Sequence, residues 1–153
     1  KKLVLDTTEF DRFVKEYPLI IIEEMNSAIE KSAYKIESMA KQEAPAVSGK
    51  LRQKIMTSLS YLKGVVSANA LYSIYVHEGT KPHIITPKTK KVLADKRKRI
   101  IFGKRVRHPG TEPNRFMLRA VEKSKNTIEG YFQKALENTI RKAIRWADKH
   151  ITI

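Results

Sequence analysis

The side chains best suited to proton transfer or metal ligation near neutral pH are four histidines, His77, His83, His108 and His150. His77, His83 and His108 lie in two turn-rich stretches, so a metal site drawn from these three is the first chemistry to weigh. The string His77-Glu78-Gly79-Thr80 starts like a His-Glu-x-x-His zinc helix, but position 81 is Lys, not a second ligand. Loop histidines more often bond backbone or water. There is no cysteine, which excludes thiolate metal sites and a disulfide framework and fits a reducing compartment. No Asp/Glu pair has the spacing of an acid–base couple or a two-metal centre, and the glycines form no phosphate-cradling motif. The expectation is a protein that is not an enzyme, with no catalytic residues, no metal and no cofactor. A small metal-dependent nuclease stays as a minor alternative that would require chelator-sensitive cleavage.

The stronger chemical signal is charge. The net formal charge is +15, and residues 88–107 hold ten Lys or Arg against one acid, Asp95. The cations are Lys88, Lys90, Lys91, Lys96, Arg97, Lys98, Arg99, Lys104, Arg105 and Arg107, interrupted by the apolar islands Val92-Leu93 and Ile100-Ile101-Phe102. Charge this dense repels itself and favours an extended or partner-bound form. The expectation is a β-excursion, with strands near 90–94 and 99–106 and a basic tip at 96–99, mobile in the free chain and facing a partner or DNA. A basic nucleic-acid-binding protein is the alternative reading. Against sequence reading or strand stacking, Phe102 is the one aromatic in the segment, and no zinc finger, aromatic RNP string or helix-turn-helix is legible.

Two motifs flank this segment: Tyr75-Val-His-Glu-Gly-Thr-Lys-Pro-His-Ile-Ile-Thr-Pro-Lys88 and Arg107-His-Pro-Gly-Thr-Glu-Pro113. Each holds a Gly-Thr-x-Pro unit: Gly79-Thr80 with Pro82, and Gly110-Thr111 with Pro113. Glycine reaches positive φ without steric cost and proline fixes φ, so both read as rigid turns. The residues assigned to turn and structural motifs are Ser48, Gly49, Leu51, Gly79, Thr80, Pro82, His108, Pro109, Gly110, Thr111, Pro113 and Phe116.

The elements that must position them follow from periodicity. Asp6-Thr-Thr-Glu9 has capping-box spacing and predicts a short helix near 7–16. Pro18 then suits the first turn of a second helix, in which Ile22, Met25, Ile29, Ala33, Ile36 and Ala40 form an apolar stripe ending before Pro45. Ser48 is placed to cap a short helix bearing Lys50, Leu51 and Arg52. Residues 55–62 and 65–68 predict a β-hairpin turning at Lys63-Gly64. A short helix near 70–77 and a strand at Ile84-Ile85 follow. A last helix from about Asn114 to Lys149 carries Val121, Ile128, Phe132, Leu136, Ile140, Ala143 and Ala147 on one face. The predicted class is α+β: one domain over 1–153, its long N- and C-terminal helices packed on a small, mainly antiparallel sheet with a protruding basic β-excursion. The longest apolar run, residues 19–22, is far short of the roughly 20 residues a membrane span needs, and no basic-then-apolar leader opens the chain, so a soluble protein is expected.

In this order the motifs resemble the tail-component or neck protein family of long-tailed, double-stranded-DNA bacteriophages. The resemblance runs from about residue 10 to 145. It rests on Ala44-Pro-Ala-Val-Ser-Gly-Lys-Leu-Arg52, on Tyr72-Ser-Ile-Tyr-Val-His-Glu-Gly-Thr-Lys-Pro-His83, and on His108-Pro-Gly-Thr-Glu-Pro-Asn-Arg-Phe-Met-Leu-Arg-Ala120 before a C-terminal helix. Ser48 and Lys50 stand where threonine and arginine are usual, His77-Glu78 where an acid and an aromatic are, and Asn114-Arg115 where Gln-Pro is. The resemblance implies a structural virion protein of the head–tail junction (neck or tail completion), found in the host cytoplasm during assembly. It implies a homo-oligomer, a hexameric or larger ring, between the head connector or stopper and the tail tube or tail terminator. Packaged double-stranded DNA would pass through its channel, with no membrane involved.

Overall fold

Alanine and serine, rather than the larger aliphatics, mark where the two long helices meet. The computed structural model describes residues 8–45, 49–88, 91–95 and 99–150. Helix α1 (Thr8–Glu43) and helix α4 (Phe116–His150) lie antiparallel along one another and share the most extensive contact in the fold. On α1 the buried positions are Ala28, Ser32, Ala33 and Ala40, with Ala44 just beyond; on α4 they are Phe116, Ala120, Ser124, Ala135 and Thr139. Small side chains let helix axes approach closely. Two of the three polar members bond backward within their own helix: Ser32 Oγ donates to Ala28 O at 2.7 Å, and Thr139 Oγ1 to Ala135 O at 2.9 Å, whereas the buried Ser124 hydroxyl meets no partner among the described residues.

Two expectations about the helices are corrected. Pro18 lies inside α1, so residues 8–43 are one helix and not two. A proline costs one backbone bond and some crowding, roughly 3 kcal/mol, which the long contact with α4 offsets. On α4 the fully buried row is rotated from the expected stripe: Val121, Leu136 and Ile140 are exposed, while Ile128, Phe132, Ala143 and Ala147 are half-buried. Ion pairs accompany that rotation. Glu43 receives Arg119 Nε at 3.0 Å and pairs with Lys123, while Glu24 pairs with Lys142 at 2.7 Å and accepts from Asn138 Nδ2 at 3.1 Å. These clamps sit 19 residues apart on α1, one near each end of the seam, and large aliphatics turned toward the seam would hold the axes apart.

Between the helices the chain forms three two-stranded antiparallel ladders: β1 (Ile55–Ser60) with β2 (Lys63–Ala68), β3 (His83–Ile85) with β6 (Val106–His108), and β4 (Leu93–Asp95) with β5 (Ile100–Gly103). Two short helices, α2 (Lys50–Gln53) and α3 (Ser73–Glu78), link them to the rest. The first hairpin turns at Tyr61-Leu62, two residues before the expected Lys63-Gly64. Leu62 takes φ 50°, and its N–H donates to Asn26 Oδ1 of α1 at 2.8 Å. Gly64 has another duty: a Cβ there would stand 3.0 Å from Ala33 Cβ and 3.2 Å from Ile29 Cγ2, so its missing side chain lets β2 lie on α1. The expected strand over 99–106 is split. Gly103, at φ 100°, ends β5, and β6 turns away to pair with β3.

The core cluster is Ala40, Ala44, Leu51, Ile55, Phe116 and Ala120, with Val66, Val76 and Met117 against it. Among the described residues no helix is long and apolar enough to cross a membrane.

The clamps set an acid limit. Hydrogen bonds from Lys142 and Asn138 hold the Glu24 carboxyl below its ordinary value of 4.5, and Lys123 and Arg119 do the same for Glu43. A depressed carboxylate contributes stability that is present above pH 4.5 and lost as pH falls through the folded-state value. The melting temperature should therefore be level above that pH and fall below it. The combined Glu24→Gln and Glu43→Gln variant should lose stability at neutral pH and show a shallower acid decline. An unchanged acid limb in thermal scans from pH 7 to 3 would show the clamps to be inert.

Candidate functional site

The two Gly-Thr-x-Pro stretches fold onto each other. Thr80 and Thr111 form an antiparallel bridge: Thr80 N–H donates to Thr111 O at 2.9 Å, and Thr111 N–H to Thr80 O at 3.0 Å. Their hydroxyls meet at 3.0 Å. Each glycine lies where the opposite chain crosses. Gly79 takes φ 75°, and a Cβ on it would stand 2.5 Å from Thr111 O and 2.8 Å from Pro113 N. Gly110 takes φ 90°; a Cβ there would collide with Thr80 O and lie 3.1 Å from Pro82 N. Positive φ and a backbone neighbour both demand glycine.

The histidines divide around this bridge. His83 and His108 are register partners in the β3–β6 ladder, and their rings stack with centroids 5.0 Å apart. His83 Nδ1 lies 2.8 Å from Lys81 O, so it carries the proton, whereas His108 Nδ1 accepts from Gly110 N–H at 3.0 Å. His77 packs edge-on against Phe116 at 5.6 Å, with Nδ1 2.7 Å from Glu78 Oε1. Among the described residues, no three His, Asp or Glu side chains gather into a metal-ligating group. The bridge floors an open groove of about 660 Å³, lined by Tyr75, Gly79, Thr80, Lys81, His83, His108 and Thr111.

The remaining motif residues are structural. Leu51 and Phe116 are buried in the core cluster. Gly49, at φ 69°, occupies the N-cap of α2 with no side-chain cap, and the expected capping residue Ser48 lies outside the described residues. Pro82, Pro109 and Pro113 are exposed along the turns. Of the basic segment, Lys88, Lys91, Arg99, Lys104, Arg105 and Arg107 are exposed; Lys90, Lys96, Arg97 and Lys98 lie outside the described residues.

Two arginines do more than the sequence reading assigned to them. Arg52 donates through Nε at 3.1 Å and Nη2 at 2.9 Å to Ala44 O, closing the C-terminal end of α1 with a cation where the helix dipole is negative. Arg119 joins Glu43 to Asn114 Oδ1, while Asn114 N–H donates to Val76 O at 3.0 Å. Both arginines stand inside the quoted motifs, but helix periodicity gives no sign of a guanidinium reaching back across a turn. No family model, no curated protein and no solved structure matches the chain.

The crossing of the two turns makes a specific forecast. Gly79→Ala and Gly110→Ala should each cost about 2–3 kcal/mol, combining positive-φ strain with displacement of the opposing backbone. Either one opens the same bridge, so the double variant should cost at least about 1 kcal/mol less than the two single losses added. Additive losses in denaturant titration would mean the turns fold independently.

Proposed function

We propose that this chain is a structural virion protein of the head–tail junction, working as a closed ring of identical subunits through which DNA passes. The observation that carries the reading is the imbalance of its apolar surface. Among the described residues nine hydrophobic side chains are buried, and six of them are alanines. Leu71, Ile74, Tyr75, Ile101, Phe102, Leu136, Ile140 and Ile144 are all exposed. A lone soluble subunit rarely leaves this much large apolar surface in water, and exposure on this scale marks surfaces that meet other proteins. Two features support the same reading. The three motifs that carry the resemblance converge on one core through Ala44, Leu51, Val76, Phe116 and Ala120, so they serve a common scaffold. The turns are locked backbone to backbone, which suits a part that must hold its shape between two larger bodies. Head-to-tail contacts that close generate such rings.

Electron microscopy of the purified chain should show closed rings of uniform diameter. In a phage lacking the gene, a Lys96→Ser, Arg97→Ser, Lys98→Ser, Arg99→Ser variant should fold normally yet leave full heads and tails unjoined. Joined, infectious particles at normal numbers would reduce the basic segment to a solvated face. Loss of DNA affinity with joining intact, and a steep salt dependence of binding by a monomer, would favour the nucleic-acid reading instead.

A further inference from the structure

The β4–β5 hairpin packs mainly on itself, with no extensive contact to either helix. A two-stranded hairpin without a backing surface is marginal in water. This one also exposes Ile101 at 72% and Phe102 at 51%, with Arg99, Lys104 and Arg105 exposed beside them. Its missing surface must therefore be apolar and acidic. Nucleic acid offers the charge but no aliphatic floor.

Among the described residues several apolar faces are open, and two of them involve the long helices. On the outer row of α4, Ile140 and Ile144 share a shallow groove with Glu137 and Arg141, whose charges offset one another, and Leu136 lies beside them exposed. The other is a groove of about 270 Å³ between α1 and the β1–β2 tip, lined by Asn26, Ile29, Glu30, Leu59, Tyr61 and the one cation Lys63. Tyr61 is 70% exposed there. Glu30 forms no ion pair among the described residues, and Glu23 lies two turns earlier on α1, its nearest cation Lys142 at 3.9 Å being held already by Glu24 at 2.7 Å. The whole chain divides the same way. Residues 1–45 hold nine acids against seven Lys or Arg, and residues 46–153 hold seven acids against twenty-four.

We infer that the β4–β5 hairpin of one subunit docks in the α1/β1–β2 groove of a second copy, seating Ile101 and Phe102 against Leu59 and Tyr61 and bringing Arg99 and Lys104 to Glu30 and Glu23. The two surfaces differ, so the contact is head-to-tail and propagates around a ring. This inference rests on the ring reading and specifies the joint between its subunits.

The absence of cysteine gives a clean test in the full-length chain. The double variant Tyr61→Cys with Ile101→Cys, oxidised under conditions where the protein assembles, should yield a ladder of covalent multimers. A mixture of the two single variants should stop at dimers containing one of each. Independently, Glu23→Lys with Glu30→Lys should weaken self-association at least about tenfold, as should Arg99→Glu with Lys104→Glu, and combining all four changes should restore it. Circular dichroism of each variant establishes that it is folded. Rings that form without the 61–101 cross-link, or charge sets that fail to rescue each other, overturn the joint and leave the ring reading standing. A chain that forms no multimers overturns both.

Discussion

Two stretches of backbone cross with no room for a β-carbon between them, and the fold is arranged around that crossing. Gly79 faces Thr111 O and Gly110 faces Thr80 O, so each glycine makes space for the other's threonine. The bridge between the threonines continues into the β3–β6 ladder, which stacks His83 on His108. On the other side it hands the chain to Asn114, whose N–H reaches Val76 O and sets where α4 starts. Phe116 then enters the core beneath His77. Segments more than 30 residues apart are thereby held in one register by backbone bonds, which no side-chain change outside the glycines can replace.

Downstream of that start, α4 has one way to lie on α1. A seam of Ala, Ser and Thr brings the axes close, and close axes leave no volume for Leu136 or Ile140, which turn outward. The packing is dense but thin. Large apolar side chains such as Leu136, Ile140 and Ile144 stay on the surface, and hydrophobic gain grows with area removed from water, about 25 cal/mol per Å². The same geometry therefore leaves the chain with exposed apolar side chains that a partner surface would cover. Close packing and exposed apolar side chains here have one cause, the small residues between the helices.

How far this was legible in the sequence depended on the range of the forces involved. Local rules located the helix ends at Glu43 and Phe116 to within a few residues, the first hairpin, the short helix before Gly79 and the positive φ of Gly79 and Gly110, since proline, glycine and period 3.6 act over a few positions. Periodicity misassigned the buried face of α4, because Leu and Ile outrank Ala in any hydrophobic count, while a close helix pair selects for size. Pro18 misled for the opposite reason: a local penalty was outweighed by a contact spread along both helices. The turn at Lys63-Gly64 failed because glycine has two uses, and Gly64 serves close approach to Ala33 rather than chain reversal. At the candidate site, the two Gly-Thr units were visible singly. That they pair with each other was not, since nothing local encodes a partner 31 residues away.

On the proposed reading, charge and apolar area take separate roles in assembly. Screening reduces interactions between exposed charges beyond a Debye length of about 8 Å at physiological ionic strength, so lysines and arginines steer an approach and set which surfaces tolerate each other. They contribute little to holding a joint once it is made. Holding requires the apolar islands inside the basic segment, which a mere polyanion-binding arm would not need. On the proposed reading, the alternation of cations with Ile100-Ile101-Phe102 combines the two demands in one hairpin: charge to choose an acidic face, and aliphatic area to stay on it. A ring of subunits each carrying +15 would otherwise repel itself. In the proposed ring, acids such as Glu23 and Glu30 would offset a neighbour's cations as it arrives, and a polyanion in the channel would offset much of the rest.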